Sequence, residues 1–300
     1  MKNILAFDIG GTKVKYGIVN TAGRVLKKDT FDTDCSSEEA FLKPILDIIN
    51  KEKEIQELEG IGISMPGFID SEKGIPTVCY AIKCMEGKSI TDIIALKTGF
   101  KASVENDGNC AAFAEKFNGN ALNCSDFICV TIGTGIGGGI YLNDRIVRGN
   151  SFRAGEFGFM VCEGLNKEKI EDSIISANAS TRSLVLDYMK YKNMDPKDIV
   201  EGYEVFEKAK EDQNVREIIN NWYRKIALGV VNLSATLNPE KILIGGGVSA
   251  REDFIKEIER CANEIPWWKD ISSKIEVCKH RNDAGLIGAA YNFIIESLNR

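Results

Sequence analysis

"LAFDIGGTKVKYGIVNTAGRVL", residues 5–26, sets two apolar runs on either side of a Gly10-Gly11 turn and turns again at Ala22-Gly23. Short apolar runs punctuated by glycine predict strands in a meander, because glycine adopts the backbone angles that tight turns demand. The plan returns at residues 126–149, "DFICVTIGTGIGGGIYLNDRIVRG": an apolar strand, a glycine turn, a second strand and another turn at Asn143-Asp144. The two stretches read as internal duplicates of one strand-turn-strand device, about half the chain apart and so at a longer period than solenoid repeats.

Between and after the duplicates, strands alternate with helices. A helix is predicted from Ser37 to Lys53, with Leu42, Ile45, Leu46 and Ile49 at helical spacing. "LEGIGISMPGFID" (58–70) reads as a buried strand running into a Pro-Gly turn, followed by a short helix from Ser89 to Thr98, a strand from Ala102 to Glu105 and the helix of "NCAAFAEKF" (109–117). This alternation predicts an α/β layered domain, and a second unit opens near Asn118. There, residues 163–212 read as helical and polar, 215–238 as a long amphipathic helix, "KILIGGGVS" (241–249) as a buried strand entering a glycine turn, and 284–299 as the closing helix. The expected domains are 1–117, closed by the C-terminal helix 284–300, and 118–283.

With 300 residues and 44% apolar content the chain can bury a core of about two domains. A net charge of −6, with no basic cluster beyond runs such as Lys27-Lys28, argues against a nucleic-acid partner. Nine cysteines without a C-x-x-C, and one histidine, His280, predict buried free thiols in a reducing compartment rather than disulfides or zinc. The first apolar run, "NILAF", is too short for a secretion signal or a membrane span. A cytoplasmic protein with no membrane partner is expected.

Three glycine-rich turns each follow an apolar strand: Asp8 to Thr12, Gly133 to Gly139, and Gly245 to Gly247. Hairpin geometry alone accounts for any one of them. Three at strand ends, two carrying a threonine, offer backbone N–H groups that can converge on phosphate oxygens. No run ends in Gly-Lys-Ser/Thr, and no G-x-G-x-x-G stands before a helix with an acidic residue beyond it, so a different nucleotide fold is required.

"FDIGGTKVKYGIV" (7–19), "VENDGNCAAFAE" (104–115), "VTIGTGIGGGI" (130–140), "AGEFG" (154–158) and "NPEKILIGGGVS" (238–249) resemble, in that order, the motifs of the ROK family, sugar kinases of the actin and hexokinase superfamily. The resemblance runs from Ile4 to about Phe293. It implies an α/β fold of two ribonuclease-H-like domains with a cleft between them, a homodimer, and ATP with Mg²⁺ as the phosphoryl donor. It places Asp8, Gly10, Gly11, Thr12 and Lys13 around the γ-phosphate, with Asp8 toward Mg²⁺. Gly133, Thr134 and Gly135 face the β- and γ-phosphates, and Gly246, Gly247 and Val248 approach adenosine. Asp107 resembles the catalytic base and Asn106 a contact to a sugar hydroxyl, while Ser64, Pro66 and Gly67 resemble the turn beneath the sugar.

The residues themselves leave alternatives open. Asp107 has the residue type of a helix N-cap, and "SMPG" reads equally as a tight turn without a ligand. Glu156, between Gly155 and Gly158, suits a carboxylate that accepts hydrogen bonds from two neighbouring sugar hydroxyls, or one buried against Arg148 or Arg153. Many ROK kinases carry a histidine after GE-x-G and then a C-x-C-G-x-x-G-C zinc loop. Here Phe159 takes the histidine position and "MVCEGLNKEKIEDS" (160–173) holds one cysteine, so no zinc is expected, and Glu171 does not align with the family's sugar-binding acid. "FRAGEFGFM" resembles the zinc-free branch that includes bacterial β-glucoside kinases, with N-acetylmannosamine kinases as the alternative. A DNA-binding repressor of the same family would need an N-terminal extension before the first strand, and a sugar sensor without catalysis would not need Asp107 together with the phosphate turns.

Overall fold

The computed structural model describes residues 2–164 and 169–298. Strands β1 (Asn3–Ile9), β2 (Lys13–Asn20) and β3 (Val25–Asp32) form the antiparallel meander expected of the opening stretch. Helix α1 (Glu38–Ile55) starts at Ser37, whose hydroxyl accepts the Ala40 amide at 3.0 Å, and buries Phe41, Leu42, Ile45 and Ile49 in the core beneath the sheet. It leads to β4 (Leu58–Met65), parallel to β1. A small hairpin of β5 (Phe68–Asp70) and β6 (Ile75–Val78) and helix α2 (Ile90–Thr98) intervene before β7 (Ala102–Asn106), parallel to β4, and helix α3 (Asp107–Asn118) follows at once.

The second half repeats the order. Strands β8 (Phe127–Ile132), β9 (Ile136–Leu142) and β10 (Arg145–Ile146) form a second meander. Four helices, α4 (Ile175–Ala179), α5 (Thr181–Lys192), α6 (Gly202–Lys208) and α7 (Gln213–Leu237), precede β11 (Lys241–Gly245), which runs parallel to β8. After α8 (Phe254–Ala262) and α9 (Trp268–Ile271) comes β12 (Lys274–Val277), and the chain closes with α10 (Ala284–Leu298). The sheets read β3-β2-β1-β4-β7 and β10-β9-β8-β11-β12, one plan used twice.

The helices that follow the last strand of each sheet change sides. Helix α3 leaves β7 and packs on β8 and β9, whereas α10 leaves β12 and packs on β1, β4 and β7. Glycines permit both contacts. A side chain on Gly62 of β4 would run into the backbone of Ala289, and one on Gly288 would overlap the Cys110 carbonyl where α10 crosses α3. Phe293, almost fully buried with Ile4 and Ala6, anchors α10 on the first sheet; truncation to alanine would cost ~3–5 kcal/mol, as for other buried phenylalanines.

The structure differs from the sequence reading in one instructive place. Gly137, Gly138 and Gly139 lie inside β9 rather than in the turn, which is confined to Gly133–Gly135. Close approaches explain two of them: a Cβ on Gly138 would overlap the Cys129 carbonyl and the Phe157 ring, and one on Gly139 would crowd the Gly108 carbonyl, while Gly108 of α3 and Gly155 are glycines in turn because each abuts the Gly138 carbonyl. The start of α3 and the 155–158 segment are thereby pressed against one strand.

Candidate active site

Asp8 ends the apolar run of β1, where one oxygen accepts the Ser64 hydroxyl at 2.9 Å and the other faces the Lys15 ammonium at 3.3 Å. Both partners follow from register, since Asp8 stands opposite Lys15 on β2 and beside Ser64 on β4. Ser64 is fully buried and thus holds Asp8 from below. Lys15 also donates to the carbonyl of Asn282, just ahead of α10. The turn beyond Asp8 closes with the Gly10 amide donating to the Lys13 carbonyl at 2.9 Å, leaving Gly11, Thr12 and Lys13 exposed. Alternation along β2 could have singled out Lys15 from sequence; the role of Ser64 needed the pairing with β4.

At the start of α3 the cap is Asn106, not Asp107. Asn106 Oδ1 accepts the amides of Gly108 and Asn109 at 2.8 and 3.1 Å, which leaves Asp107 as the first helical residue. Asn106 Nδ2 donates to the Gly67 carbonyl at 2.9 Å and to Asp107 Oδ1 at 3.1 Å. All four hydrogen-bonding positions of that amide are filled, so it joins β7, α3 and the Pro66-Gly67 turn. The turn is a glycine turn by necessity: Gly67 has φ +102°, and a side chain there would meet the Val78 carbonyl. The Cys79 thiol donates to the Pro66 carbonyl at 2.9 Å from the other side.

Asp107 Oδ1 also accepts the Gly108 amide at 2.9 Å. Crowding by protein strips its hydration and pushes its pKa up to about 6, opposed by the Gly108 amide and aided by the negative charge of Asp8. The side chain is nonetheless open to solvent, and water that reaches a carboxylate restores part of its hydration, so its exposure argues for the smaller displacement. On either footing Asp107 is ionised at pH 7.

Glu156 precedes a tight helical turn, Phe157–Phe159, in which Phe157 is buried and Phe159 is 62% exposed. Partial burial and then the charge of Asp107 raise the Glu156 pKa, so the two carboxylates lie within electrostatic reach of each other. Among the described residues the Glu156 carboxylate has no hydrogen-bond or ion-pair partner. The bases that could have neutralised it are engaged elsewhere: Arg148 pairs with Glu105 at 2.7 Å, and the Arg153 guanidinium lies 4.7 Å from the Phe68 ring centroid. Glu171 sits exposed on a separate turn, Ile170–Ser173.

A cavity of about 560 Å³ lies on the second half of the molecule, lined by Gly133, Thr134, Gly247 and Val248 together with Thr181, Phe206 and Arg251. A side chain on Gly133 or Gly247 would meet nothing within 4 Å, so packing does not explain glycine at these positions. Gly246 differs: its φ is +99° and a Cβ would overlap the Ile132 carbonyl, so it shapes the turn. Gly135 closes its own turn by accepting the Gly133 amide at 2.9 Å. The structure thus brings two glycine turns to one cavity, and Asp8, Ser64, Gly67, Asn106 and Asp107 to another cluster with Glu156 beside it. Thr181, Phe206 and Arg251 carry no local sequence signal, because they reach the cavity from α5, α6 and the β11–α8 link.

The ROK family profile matches residues 4–295. The β-glucoside kinase of Listeria innocua is 35% identical over 98% of either chain. Among solved structures, the Lmo2764 protein of Listeria monocytogenes, described as a candidate N-acetylmannosamine kinase, superposes with a TM-score of 0.90 at 32% identity, covering 98% of this chain and 99% of its own. A ROK family glucokinase from Streptomyces griseus, in complex with glucose and AMPPNP, gives 0.79 at 26% identity over 96% and 98% of the two chains. A twice-used sheet order and a family profile spanning nearly every residue lead to one conclusion: the chain belongs to the ROK family and has its actin/hexokinase-type fold.

Proposed function

We propose that the protein is an ATP-dependent carbohydrate kinase that phosphorylates the 6-hydroxyl of a hexose or, preferentially, of a β-glucoside. The observation that carries this reading is the unpartnered Glu156 carboxylate within electrostatic reach of Asp107. A carboxylate in a partly dry cleft calls for hydrogen-bond donors, and a pair of sugar hydroxyls supplies them. Asp107, ionised at pH 7, takes the proton as the 6-oxygen bonds to the γ-phosphorus and the bond to the β–γ bridging oxygen breaks, releasing ADP. Asn106 and the Pro66-Gly67 turn hold Asp107 in place through the bonds described above.

The donor fits the second-half cavity. Gly133 and Gly247 leave open the volume a Cβ would take, so phosphate and ribose can approach backbone, and the amides of Thr134 and Gly135 are the donors the turn offers, the Gly133 amide being spent on the Gly135 carbonyl. Mg²⁺ would neutralise charge on the phosphates. Asp8 is the carboxylate suited to hold it, since each oxygen carries one partner and keeps lone pairs. Gly10, Gly11, Thr12 and Lys13 belong to the same end of the cleft on this reading, with Gly246 and Val248 shaping the adenosine side. Zinc has no part in it. Among the described residues no group of three His, Cys, Asp or Glu could hold a metal, and residues 165–168 of the stretch where a zinc loop would stand lie outside them.

The cleft separates residues 1–117 with 284–300 from residues 118–283 on the same proposal, and a cytoplasmic homodimer completes it. Six of the nine cysteines are buried thiols, as a reducing compartment allows. Among the described residues no helix is long and apolar enough to cross a membrane. N-acetylmannosamine is the second acceptor to consider, on the likeness to Lmo2764.

The exposed Phe159 ring, three residues from Glu156, offers an apolar face to a substituent at C1. ADP release measured against hexoses, N-acetylhexosamines and β-glucosides tests the assignment. Cellobiose should reach a kcat/KM at least equal to that of glucose, and Phe159→His should shift the ratio toward glucose by ~1–2 kcal/mol. A strong preference for glucose that Phe159→His leaves untouched would remove residue 159 from the sugar site.

A further inference from the structure

Two arginines of one loop each end on the opposite half of the molecule. Residues 148–154 fold back so that the Ala154 amide donates to the Arg148 carbonyl at 3.1 Å, and the chain then runs directly into Gly155 and Glu156. Arg148 Nε donates to Glu105 Oε2 at 2.7 Å. Glu105 is 1% exposed, and its other oxygen accepts the Asn106 amide at 2.9 Å and Asn109 Nδ2 at 3.0 Å. One buried carboxylate therefore grips the start of α3 with one oxygen and the Glu156 loop with the other. The second arginine, Arg153, lies over the Phe68 ring, next to the Gly67 whose carbonyl Asn106 engages.

We propose that Glu105 and Arg148 are positioning residues that fix Asp107 and Glu156 relative to each other, with Arg153 on Phe68 as a weaker second anchor. The proposal rests on the reading of Asp107 as base and Glu156 as sugar ligand. A buried ion pair is a poor source of net stability compared with apolar side chains of the same size. Its value here is geometric, because three hydrogen bonds of fixed direction converge from two segments that carry the two acids. The close backbone approach of Gly108 and Gly155 to Gly138 presses those segments together but fixes no direction for either side chain. The two oxygens of Glu105 do so, each being committed to one segment.

Peptide-resolved hydrogen exchange and steady-state kinetics on the full chain test this. Arg148→Met should accelerate exchange in residues 105–109 and 149–158 together, by ~10-fold or more in each. With the best acceptor it should lower kcat by ~10²-fold, the scale of an ~1 Å misplacement, while KM for ATP stays within ~2-fold. Arg148→Lys, which keeps the charge and is the better prospect for folding, should recover ~10-fold of that loss. Acceleration confined to 149–158 would overturn the proposal. So would wild-type kcat in the double variant Glu105→Gln with Arg148→Met, in which neither buried group is charged, because the pair would then serve stability alone. A wild-type chain that turns over no acceptor would sink the kinase reading, and the exchange arm would still decide whether one clamp joins the two segments.

Discussion

The two glycine hairpins sit at the same place in two sheets of the same order, and they differ where it matters chemically. On the first, Asp8 stands opposite Lys15; on the second, Thr131 stands opposite Gly137. The first turn, from Gly10 to Lys13, is one residue longer than the second, from Gly133 to Gly135. The crossed helices show the same contrast. Gly285, second residue of α10, abuts Asp8, and Gly108, second residue of α3, abuts Gly138, yet α3 opens with Asp107 and α10 with Ala284. The link to the fourth strand is a single helix, α1, in the first half, and it includes α4, α5, α6 and α7 in the second, two of which help line the cavity. Duplication supplies a symmetric frame. Unequal residues at matching positions then give one half the charges and the other the volume.

The sharpest way to break that asymmetry is to remove the charge that α3 carries and α10 lacks. Asp107→Asn should lower kcat by at least ~10²-fold, as expected for loss of a general base. Because Asn106 supplies the helix cap, the variant keeps its fold, which far-ultraviolet circular dichroism will show. Retention of near-normal kcat would mean that the first half contributes no base. In the wild type, the acid limb of kcat/KM should fall near pH 6, where protonation of Asp107 removes the acceptor.

A smaller effect tests the volume that the second half provides. In Gly133→Ala and Gly247→Ala the new methyl group enters open space, so thermal stability should hold within ~0.5 kcal/mol while KM for ATP rises ~10-fold. Unchanged KM in both variants would move the nucleotide out of this cavity.

Much of this frame can be read from residue order. Short apolar runs and glycine turns marked both meanders, and Ser37 and Ser89 stand as helix caps where the helices were expected to begin. Local patterns carry such features because their causes lie within a few residues. The glycines of β9 misled for the opposite reason: Gly138 is small because the Cys129 carbonyl and the Phe157 ring, neither a chain neighbour, stand where its Cβ would be. The β5–β6 hairpin is too short to show alternation, and the described residues from 169 to 212 break into separate helices where α4, α5 and α6 pack against their neighbours and α7. At the site, motif resemblance marked Asp107 and Glu156, but the Glu105–Arg148 pair joins positions 43 residues apart and has no local signature.

The least effect expected is on stability, and it too separates the halves. Asp107 carries its raised pKa through burial and, in part, the charge of Asp8, whereas Ala284 stands at the corresponding position of α10 and its neighbour Asp283 pairs with Lys28. An unfolded aspartate titrates near ~4. Between that pH and about 6 the folded protein holds a proton that the unfolded chain has released, so stability falls as pH rises through this window and the penalty is complete above it. Asp107→Asn abolishes the penalty. Its Tm should therefore exceed that of the wild type at pH 7.5, and the difference should shrink toward zero as pH drops to 4, where Asp107 is protonated and its charge no longer acts on Glu156 either. Water reaches the Asp107 carboxylate, so the gain is screened and should not exceed ~1 kcal/mol, or ~2–4 °C. Scanning calorimetry of the two proteins across that range is sufficient. A gain that persists unchanged at pH 4 would trace to the amide's packing, and the charge of Asp8 would then have no reach to the start of α3.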